Sequence, residues 1–531
     1  MDRTGGRRTH PVSSIGSHGA TDRRLRASAA AGQRGAGPLR ARYTAGMAAI
    51  PPLRPHRTAP PALRLLAEQA FSRAAGAPLV ECNTVDLLVE SRATFDAWLE
   101  AIRAARSAIL FENYIFRDDA LGRSFRDALA ERARAGVRVY VLRDWLGCLG
   151  QSRPSFWAPL LEAGGEVRVY NPPRFASPFG WLSRDHRKLL VVDAEVGFVG
   201  GVCVSGRWLG DPEKGVPPWR DSVVAVRGPA LRDLVAAFAD VWDELGEALP
   251  DDIIEAGTRC LPRGRTDLRV VATVPNTAGL YRIDQLIAGM ARCNLWLTDA
   301  YFVGVAPYVQ ALIAAARDGV DVRLLVPGAS DIPAVGSLSR AGYRPLLEAG
   351  VRVFEWNGSM LHAKTAVADS RWARVGSTNL NLASWIGNCE IDLAIEDEAF
   401  ARSMEAQYER DLGNATEIVL RMPRRARRAG GGPSRFARQG GSSGRAAAGA
   451  LRLANSIGAA ITNRRLLGPA ETGPLLLGGA VLLGCAVLAL VWPRLVAWPL
   501  AALAIWIGAS LVARYVSARR RSTSTADEPH D

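Results

Sequence analysis

The chain has 531 residues, which is long enough for two domains of ordinary size together with tails. The net charge of +14 is uneven: residues 1–46 carry about +7, residues 421–470 about +11 and residues 471–531 about +1, which leaves about −5 for residues 47–420. A mildly acidic core argues against nucleic-acid binding, and seven scattered cysteines without a Cys-x2-Cys spacing favour reduced thiols in the cytoplasm over a metal site.

The first 60 residues are rich in Arg, Gly, Ser, Ala and Pro and show no hydrophobic periodicity, so residues 1–60 are predicted to be a disordered basic extension. They contain no apolar segment of the kind that a signal peptide requires. Met47 lies just before the organised region, so translation from Met1 and from Met47 are both open. The alternative interpretation of the extension is a basic arm on a membrane surface.

Two similar α/β units are predicted, over residues 64–250 and 262–415, because helical and strand-like patterns alternate in the same order in both. In the first unit we predict helices at 94–105, 121–135 and 157–163 and strands at 108–116, 137–142, 167–170 and 186–193. In the second unit we predict helices at 281–292, 308–317 and 338–349 and strands at 295–302, 320–326 and 351–356. Each unit is expected to contain a parallel or mixed sheet covered on both faces, and the duplication suggests a pseudo-twofold axis.

The C-terminal region has a different composition. Residues 421–470 are predicted to be a polybasic linker, and residues 474–516 contain two long apolar runs separated by Pro493 and Arg494. Each run is long enough to cross a bilayer, so we predict a transmembrane helical hairpin followed by a polar tail at 517–531. Arginine clusters flank the hairpin on both outer sides, which favours a cytoplasmic location for both ends and for the core. A buried hairpin in a soluble protein is the alternative.

One motif occurs twice, as His186-x-Lys188-x4-Asp193 and as His362-x-Lys364-x4-Asp369. The other four histidines lie in the N-terminal extension or next to the C terminus, and the chain has only three lysines, of which two belong to the motifs. Residues i and i+2 of a strand face the same side, so the His and Lys of each copy are expected to project together. The pseudo-twofold axis would then place two imidazoles and two ammonium groups around one small space.

This set of side chains suits phosphoryl transfer. One imidazole can attack phosphorus and form a covalent intermediate while the second protonates the leaving oxygen. The two lysines can neutralise the non-bridging oxygens, so the chemistry requires no metal and no other cofactor. The small residues that follow the motifs are expected to let backbone and hydroxyl groups approach the phosphate closely; they are Gly200, Gly201, Gly376 and Ser377.

The sequence pattern leaves the roles of the acidic residues open. Asp193 and Asp369 lie at odd spacing from their histidines and precede turn-like residues, so a structural role in a hairpin is at least as compatible with the sequence as a catalytic one. A nucleophilic histidine needs an acid that fixes its tautomer. Asp221, in Trp-Arg-Asp, and Glu390, in Asn-Cys-Glu, are the candidates, and the alternative for both is a surface carboxylate.

The duplicated motif, followed by Gly-Gly in one copy and Gly-Ser-Thr-Asn in the other, resembles the phospholipase D superfamily. The similarity to bacterial cardiolipin synthases covers residues 80–412 and includes Phe111-Glu-Asn-Tyr-Ile-Phe, Asp185-His-Arg-Lys, Trp219-Arg-Asp, Asp299-Ala-Tyr-Phe and Asn388-x-Glu390. The resemblance implies an active site at the pseudo-twofold interface. It also implies a membrane-bound phosphatidyltransferase that converts two phosphatidylglycerols to cardiolipin and glycerol through a phosphohistidine-type intermediate.

The same resemblance implies His186 as the nucleophile and His362 as the general acid, with the order of the two open. The implied partners are phospholipids and the membrane, without nucleic acid, and the implied location is the bacterial inner membrane with the core on the cytoplasmic side. The predicted catalytic set is completed by the motif Lys and Asp residues. The predicted supporting set is Asp221, Gly200, Gly201, Ser377, Asn379, Asn388 and Glu390.

Two features depart from the family pattern. Cys203 stands where the family usually has Asn, and the predicted hairpin is C-terminal, whereas many cardiolipin synthases carry theirs at the N terminus. Because Cys is a poor hydrogen-bond donor, phosphate contacts in the first half are expected to be weaker.

Three alternative functions remain open. They are a phospholipase D hydrolase that releases phosphatidic acid, a superfamily nuclease, which the acidic core and the hairpin disfavour, and a catalytically weak lipid-binding scaffold. The oligomeric state and the acceptor, whether phosphatidylglycerol, another lipid alcohol or water, are not predicted.

Overall fold

The computed structural model describes residues 62–173 and 182–420, together with separate positions between 483 and 512. The chain divides into two units after Pro60. The predicted disordered extension, the polybasic linker and the polar tail all lie outside the described residues, as does most of the predicted hairpin. None of the helices within the described parts of the chain is long and apolar enough to cross a membrane.

The described core contains helices and strands in alternation. The helices are α1 (Ala62–Ala75), α2 (Ser91–Ala104), α3 (Ala120–Arg134), α4 (Ala158–Glu162), α5 (Leu231–Asp243), α6 (Asp251–Thr258), α7 (Gly279–Met290), α8 (Ala306–Arg317), α9 (Pro333–Ala341), α10 (Tyr343–Glu348) and α11 (Glu398–Leu412). The strands are β1 (Val80–Leu88), β2 (Ala108–Asn113), β3 (Arg138–Asp144), β4 (Glu166–Tyr170), β5 (Lys188–Val192), β6 (Val196–Gly200), β7 (Val223–Arg227), β8 (Thr266–Thr273), β9 (Asn294–Thr298), β10 (Asp321–Pro327), β11 (Arg352–Trp356), β12 (Thr365–Ala368), β13 (Trp372–Gly376), β14 (Glu390–Glu396) and β15 (Ala415–Ile418).

The strands form one continuous sheet in the order β15-β11-β10-β9-β12-β13-β14-β8-β1-β7-β6-β5-β2-β3-β4. Read outward from the β8–β1 junction, the two halves have the same order of seven equivalent strands, and the second half adds β15 at its edge. In each half three strands are parallel and the others antiparallel, and β1 joins β8 in an antiparallel pair. The predicted α/β class with two similar units is confirmed, and the sheet is of the mixed kind.

Helices cover both faces of this sheet. On one face α5 and α11 share a single apolar core that includes Trp242 and Tyr408, so residues of both halves pack together there. On the other face each half has a core of its own, centred on Trp98 in the first half and on Trp385 in the second. Helix α5 packs on the sheet because its apolar side chains recur at helical spacing between Leu231 and Trp242 and are buried there. The shared core and the β1–β8 pair hold the halves in a fixed relation.

Four predicted elements differ from the structure, and one of them is the strand expected at 295–302, which ends at Thr298. The helix expected at 338–349 is two helices, α9 and α10, that meet at Gly342. The strand expected at 108–116 ends at Asn113. The motif strand expected at 186–193 covers only Lys188–Val192. His186 lies before that strand because its backbone N–H donates to the Cys389 carbonyl of the other half instead of pairing with β2.

Candidate active site

The two motif histidines lie at the junction between the halves, and each is tied to the backbone of the opposite half. The His186 N–H donates to the Cys389 carbonyl at 2.9 Å. The His362 N–H donates to the Arg220 carbonyl at 2.7 Å. Only 9% of His186 and 4% of His362 is exposed. The halves therefore position each other's histidine, and neither half holds its own histidine by local contacts alone.

The two candidate acids are also exchanged between the halves. The Nδ1 atom of His186 lies 2.9 and 3.1 Å from the two carboxylate oxygens of Glu390. The Nδ1 atom of His362 lies 2.8 Å from Oδ2 of Asp221. Both carboxylates are buried. Each acid follows the motif of its own half in sequence but contacts the histidine of the other half, so the alternative of surface carboxylates is wrong.

Neighbouring side chains hold the two carboxylates in place. The Ser377 hydroxyl donates to Glu390 Oε2 at 2.6 Å, and the Asn388 amide donates to Glu390 Oε1 at 3.2 Å. The Trp208 indole donates to Asp221 Oδ2 at 2.9 Å. Sequence reasoning identified Ser377 and Asn388 but missed Trp208, whose position 13 residues before Asp221 carries no local signal.

The two glycines after the first motif lie against the segment that carries Asp221, a contact that the sequence does not predict. A Cβ atom on Gly201 would lie 2.2 Å from Asp221 Oδ1, and one on Gly200 would lie 2.4 Å from the Ser222 carbonyl oxygen. A side chain at either position would displace the segment that carries Asp221. The glycines are therefore required for the approach of an acid to the histidine across the interface.

The two motif lysines are fully buried beside the histidines. Each Nζ donates to the backbone carbonyl of the histidine in its own motif, so the two residues of each motif are in contact. Neither pair lies wholly within a strand, because β5 begins at Lys188 and β12 begins at Thr365, which differs from the predicted strand geometry. An aromatic ring lies beside each pair. The centre of the Tyr114 ring is 5.1 Å from Lys188 Nζ, and the centre of the Tyr301 ring is 5.6 Å from Lys364 Nζ. These two tyrosines occupy equivalent places in the two halves, and sequence reasoning assigned them no role.

Burial sets the protonation states of the site. It lowers the pKa of His362 to about 4, with Lys364 acting in the same direction. It also lowers the pKa of His186, against the attraction of Glu390. Both rings are therefore neutral near pH 7 in this arrangement. Because a neutral ring carries one proton and each Nδ1 faces a carboxylate, we assign that proton to Nδ1, which leaves a free lone pair on Nε2.

Both histidines line a cavity of about 590 Å³ between the halves. Cys203 and Asn379 also line it, at equivalent places after the two motif hairpins. Burial raises the pKa of the Cys203 thiol to about 11, so this thiol is neutral and offers only a weak donor where the second half has an amide. The Asn379 Oδ1 atom is buried and has no partner among the described residues. The cavity is therefore more polar on the Asn379 side.

The motif aspartates lie away from the cavity, in the turns of two hairpins. Asp193 accepts hydrogen bonds from the backbone N–H groups of 106–108 at 2.8–2.9 Å. Asp369 accepts from those of 292–294 at 2.7–3.0 Å. Both have positive φ, 54° and 52°. Their position does not support the catalytic role in the predicted set, and their contacts are those of the structural alternative.

Replacing Asp193 with Ala is expected to destabilise the fold by about 1–3 kcal/mol, because three backbone donors lose a charged acceptor. The rate per folded molecule should stay within about twofold, since Asp193 does not line the cavity. Denaturant unfolding combined with an activity assay on the folded fraction measures both effects. A large loss of kcat with unchanged stability would contradict the structural role.

Activity is expected to fall as the pH rises above about 8. Burial lowers the pKa of Lys364 to about 8, with Asp221 opposing and Lys188 adding to the shift. The charged ammonium is present below this pKa and is lost above it, together with its attraction for phosphate oxygens. The pH dependence of kcat/KM measures this limb. The Lys364→Arg variant keeps its charge, so its residual activity should lack the limb, and an unchanged limb in that variant would exclude Lys364 as its source.

Two neutral histidines, each oriented by a carboxylate and accompanied by a buried lysine, have the chemistry that phosphoryl transfer by an enzyme requires. The sequence pattern of the family "Cardiolipin synthase, PLD-like domain" matches residues 98–208 and 285–412. Cardiolipin synthase A of Pseudomonas aeruginosa is 36% identical over 375 residues, which cover 68% of this chain and 73% of that protein. Cardiolipin synthase of Clostridium perfringens is 31% identical over 64% of this chain and 72% of that protein. The chain belongs to the cardiolipin synthase family of phospholipase D-like proteins, and the predicted resemblance is confirmed.

A solved structure supports the fold. The phosphatidylserine synthase of Haemophilus influenzae Rd KW20 matches 66% of this chain and 91% of its own with a TM-score of 0.51. Its sequence identity is 15%, so this likeness concerns the fold alone.

Proposed function

We propose that this protein is a membrane-bound phosphatidyltransferase of the cardiolipin synthase type, which converts two phosphatidylglycerols to cardiolipin and glycerol. The observation that carries the proposal is the crossed pair of His–carboxylate contacts beside two buried lysines, in a member of the cardiolipin synthase family. Family membership supports the predicted transferase activity. The geometry supports an order of steps in which the two histidines have different tasks.

In the first step the Nε2 lone pair of His186 attacks the phosphorus of one phosphatidylglycerol. A P–N bond forms, and the P–O bond to the headgroup glycerol breaks. His362 in its protonated form gives the Nε2 proton to the departing glycerol oxygen. Burial is the largest cause of the lowered pKa of His362, and the charges of Lys364 and Lys188 lower it further. A phosphodiester anion beside the two lysines offsets their charges, so substrate binding favours the protonated form.

In the second step the terminal hydroxyl of another phosphatidylglycerol gives its proton to His362. The oxygen attacks phosphorus, the P–N bond breaks, and cardiolipin leaves with His186 restored. Glu390 and Asp221 keep each ring oriented through both steps. The two lysines stabilise the charge on the non-bridging oxygens in both transition states.

Apolar side chains at the cavity support a lipid as the substrate. Leu149, Ile332 and Leu382 all line it and are 55%, 45% and 56% exposed. Large apolar side chains exposed beside a reactive polar centre match a ligand with a phosphate head and acyl chains. We propose that this rim meets the bilayer. The predicted hairpin at 474–516 would anchor the chain in a bacterial inner membrane, and the flanking arginines favour the cytoplasmic side for the core.

Expression in a bacterial host that lacks cardiolipin tests the proposal. Lipid mass spectrometry is expected to detect cardiolipin in cells with the native chain and none in cells with a His186→Ala chain produced at the same level. Accumulation of phosphatidic acid without cardiolipin would contradict the transferase and identify a hydrolase with water as the acceptor.

A further inference from the structure

Arg184 is a buried cation of the cavity that the two-step chemistry does not use. It precedes His186 by two residues, lines the cavity, and is 7% exposed. Its Nη1 atom lies 3.3 Å from Oδ1 of Asp144. Its Nε and Nη2 atoms are buried and have no hydrogen-bond partner among the described residues. A guanidinium in this state retains unused donors on one edge.

The contact with Asp144 does not explain this arrangement. Oδ1 of Asp144 also accepts from the Gly147 N–H at 2.8 Å, and Oδ2 accepts from the Asp185 N–H at 3.0 Å. The ion pair with Arg184 is therefore a single contact, whereas a guanidinium and a carboxylate commonly form two parallel hydrogen bonds. Unpaired buried donors are costly, and an anionic ligand in the cavity would satisfy them.

The surroundings of Arg184 match one end of a phospholipid. The segment after β3 contributes Leu146, Leu149 and Gln151 to the same cavity wall. Leucine side chains beside an arginine with free donors combine an apolar surface with an anion-binding group. The cations that act directly on the two histidines are Lys188 and Lys364. Arg184 is thus an additional positive charge next to the reacting centre.

We propose that Arg184 binds the phosphodiester of the acceptor phosphatidylglycerol, in a second anion subsite beside the one where phosphorus reacts. The inference rests on the proposed function and names the lipid that occupies this part of the cavity. In the acceptor, a three-carbon glycerol separates the attacking hydroxyl from the lipid's own phosphate. When that hydroxyl faces the phosphorus on His186, the acceptor's own phosphate lies a glycerol's length away from the reacting phosphorus. We place it in the part of the cavity lined by Arg184, whose unpaired donors would bind it.

Two acceptors distinguish this subsite from the reacting one. With phosphatidylglycerol as the donor, purified full-length protein in mixed micelles can transfer the phosphatidyl group either to labelled glycerol or to a second phosphatidylglycerol. Glycerol carries no phosphate, so exchange of labelled glycerol into phosphatidylglycerol reports the donor site and the histidines alone. The Arg184→Gln variant is expected to form cardiolipin at least about tenfold more slowly, while glycerol exchange stays within about twofold.

Three controls keep the result interpretable. Arg92→Gln removes an exposed arginine that does not line the cavity, and both reactions should be unchanged. Arg184→Lys keeps a charge beside Asp144 and should lie between the native and Gln variants. The double variant Asp144→Asn with Arg184→Gln removes both buried charges and tests the subsite in case the single variant fails to fold.

Equal loss of both reactions in folded Arg184→Gln would overturn the proposal, because Arg184 would then serve the reacting phosphate. Unchanged cardiolipin formation would overturn it as well. A native protein that gives neither cardiolipin nor glycerol exchange would contradict the proposed function itself, which is a separate outcome.

Discussion

Replacing either motif histidine with alanine, as His186→Ala or His362→Ala, is expected to reduce cardiolipin formation by at least about 10⁴-fold. His186 supplies the lone pair that attacks phosphorus, and His362 supplies and receives the proton, so neither task has a substitute within the described core. The rings lie at the wall of a cavity, and their removal should leave the fold intact. Initial rates with phosphatidylglycerol, together with thermal unfolding of each variant, measure the effect.

The matched control is His530→Ala, which removes a histidine next to the C terminus. It should leave the rate unchanged. Folded His186→Ala or His362→Ala protein with more than a few per cent of the native rate would contradict the two-histidine mechanism.

Removing the negative charge of either crossed acid, as Glu390→Gln or Asp221→Asn, is expected to lower the rate by about 10²–10⁴-fold. An amide no longer fixes the ring in the tautomer that leaves Nε2 free, and it no longer stabilises the imidazolium. Both substitutions keep the size of the side chain, so the packing around Trp208 and Ser377 should persist. Rates with phosphatidylglycerol and unfolding midpoints of both variants measure these effects.

Double-mutant cycles on unfolding free energy test whether the pairs are crossed. Contacting residues commonly show coupling of about 0.5–3 kcal/mol, whereas distant residues add to within about 0.5 kcal/mol. We expect coupling between His186 and Glu390 and between His362 and Asp221. Coupling confined to the pairs of the same half, His186 with Asp221 and His362 with Glu390, would contradict the observed arrangement.

The duplication and the His–Lys pairs could be predicted from the sequence because they are local patterns. The His-x-Lys spacing keeps both residues of a motif in one short segment, and the rarity of both residue types in the chain singles them out. The sequence identifies Asp221 and Glu390 as candidate acids, but it does not show which histidine each of them contacts. Their pairing depends on the β1–β8 junction and on backbone bonds such as His186 to Cys389, which join residues about 200 positions apart and leave no periodic signal.

Two other features depend on contacts that the sequence does not show. Gly201 was predicted to let the backbone approach the phosphate. In the structure the Asp221 carboxylate, 20 residues later in the chain, lies against Gly201. Asp193 follows a motif strand that ends at Val192, so its side chain turns to the backbone of β2 instead of the cavity. The hairpin at 474–516 remains a prediction.

We propose that His186 and His362 pass a phosphatidyl group from one lipid to another. The most direct measurement is a product balance: purified native protein is incubated with phosphatidylglycerol, and cardiolipin, glycerol and phosphatidic acid are quantified. We predict equal amounts of cardiolipin and glycerol, and no cardiolipin with folded His186→Ala protein. Glycerol accompanied by an equal amount of phosphatidic acid, with no cardiolipin, would contradict this transfer and indicate hydrolysis.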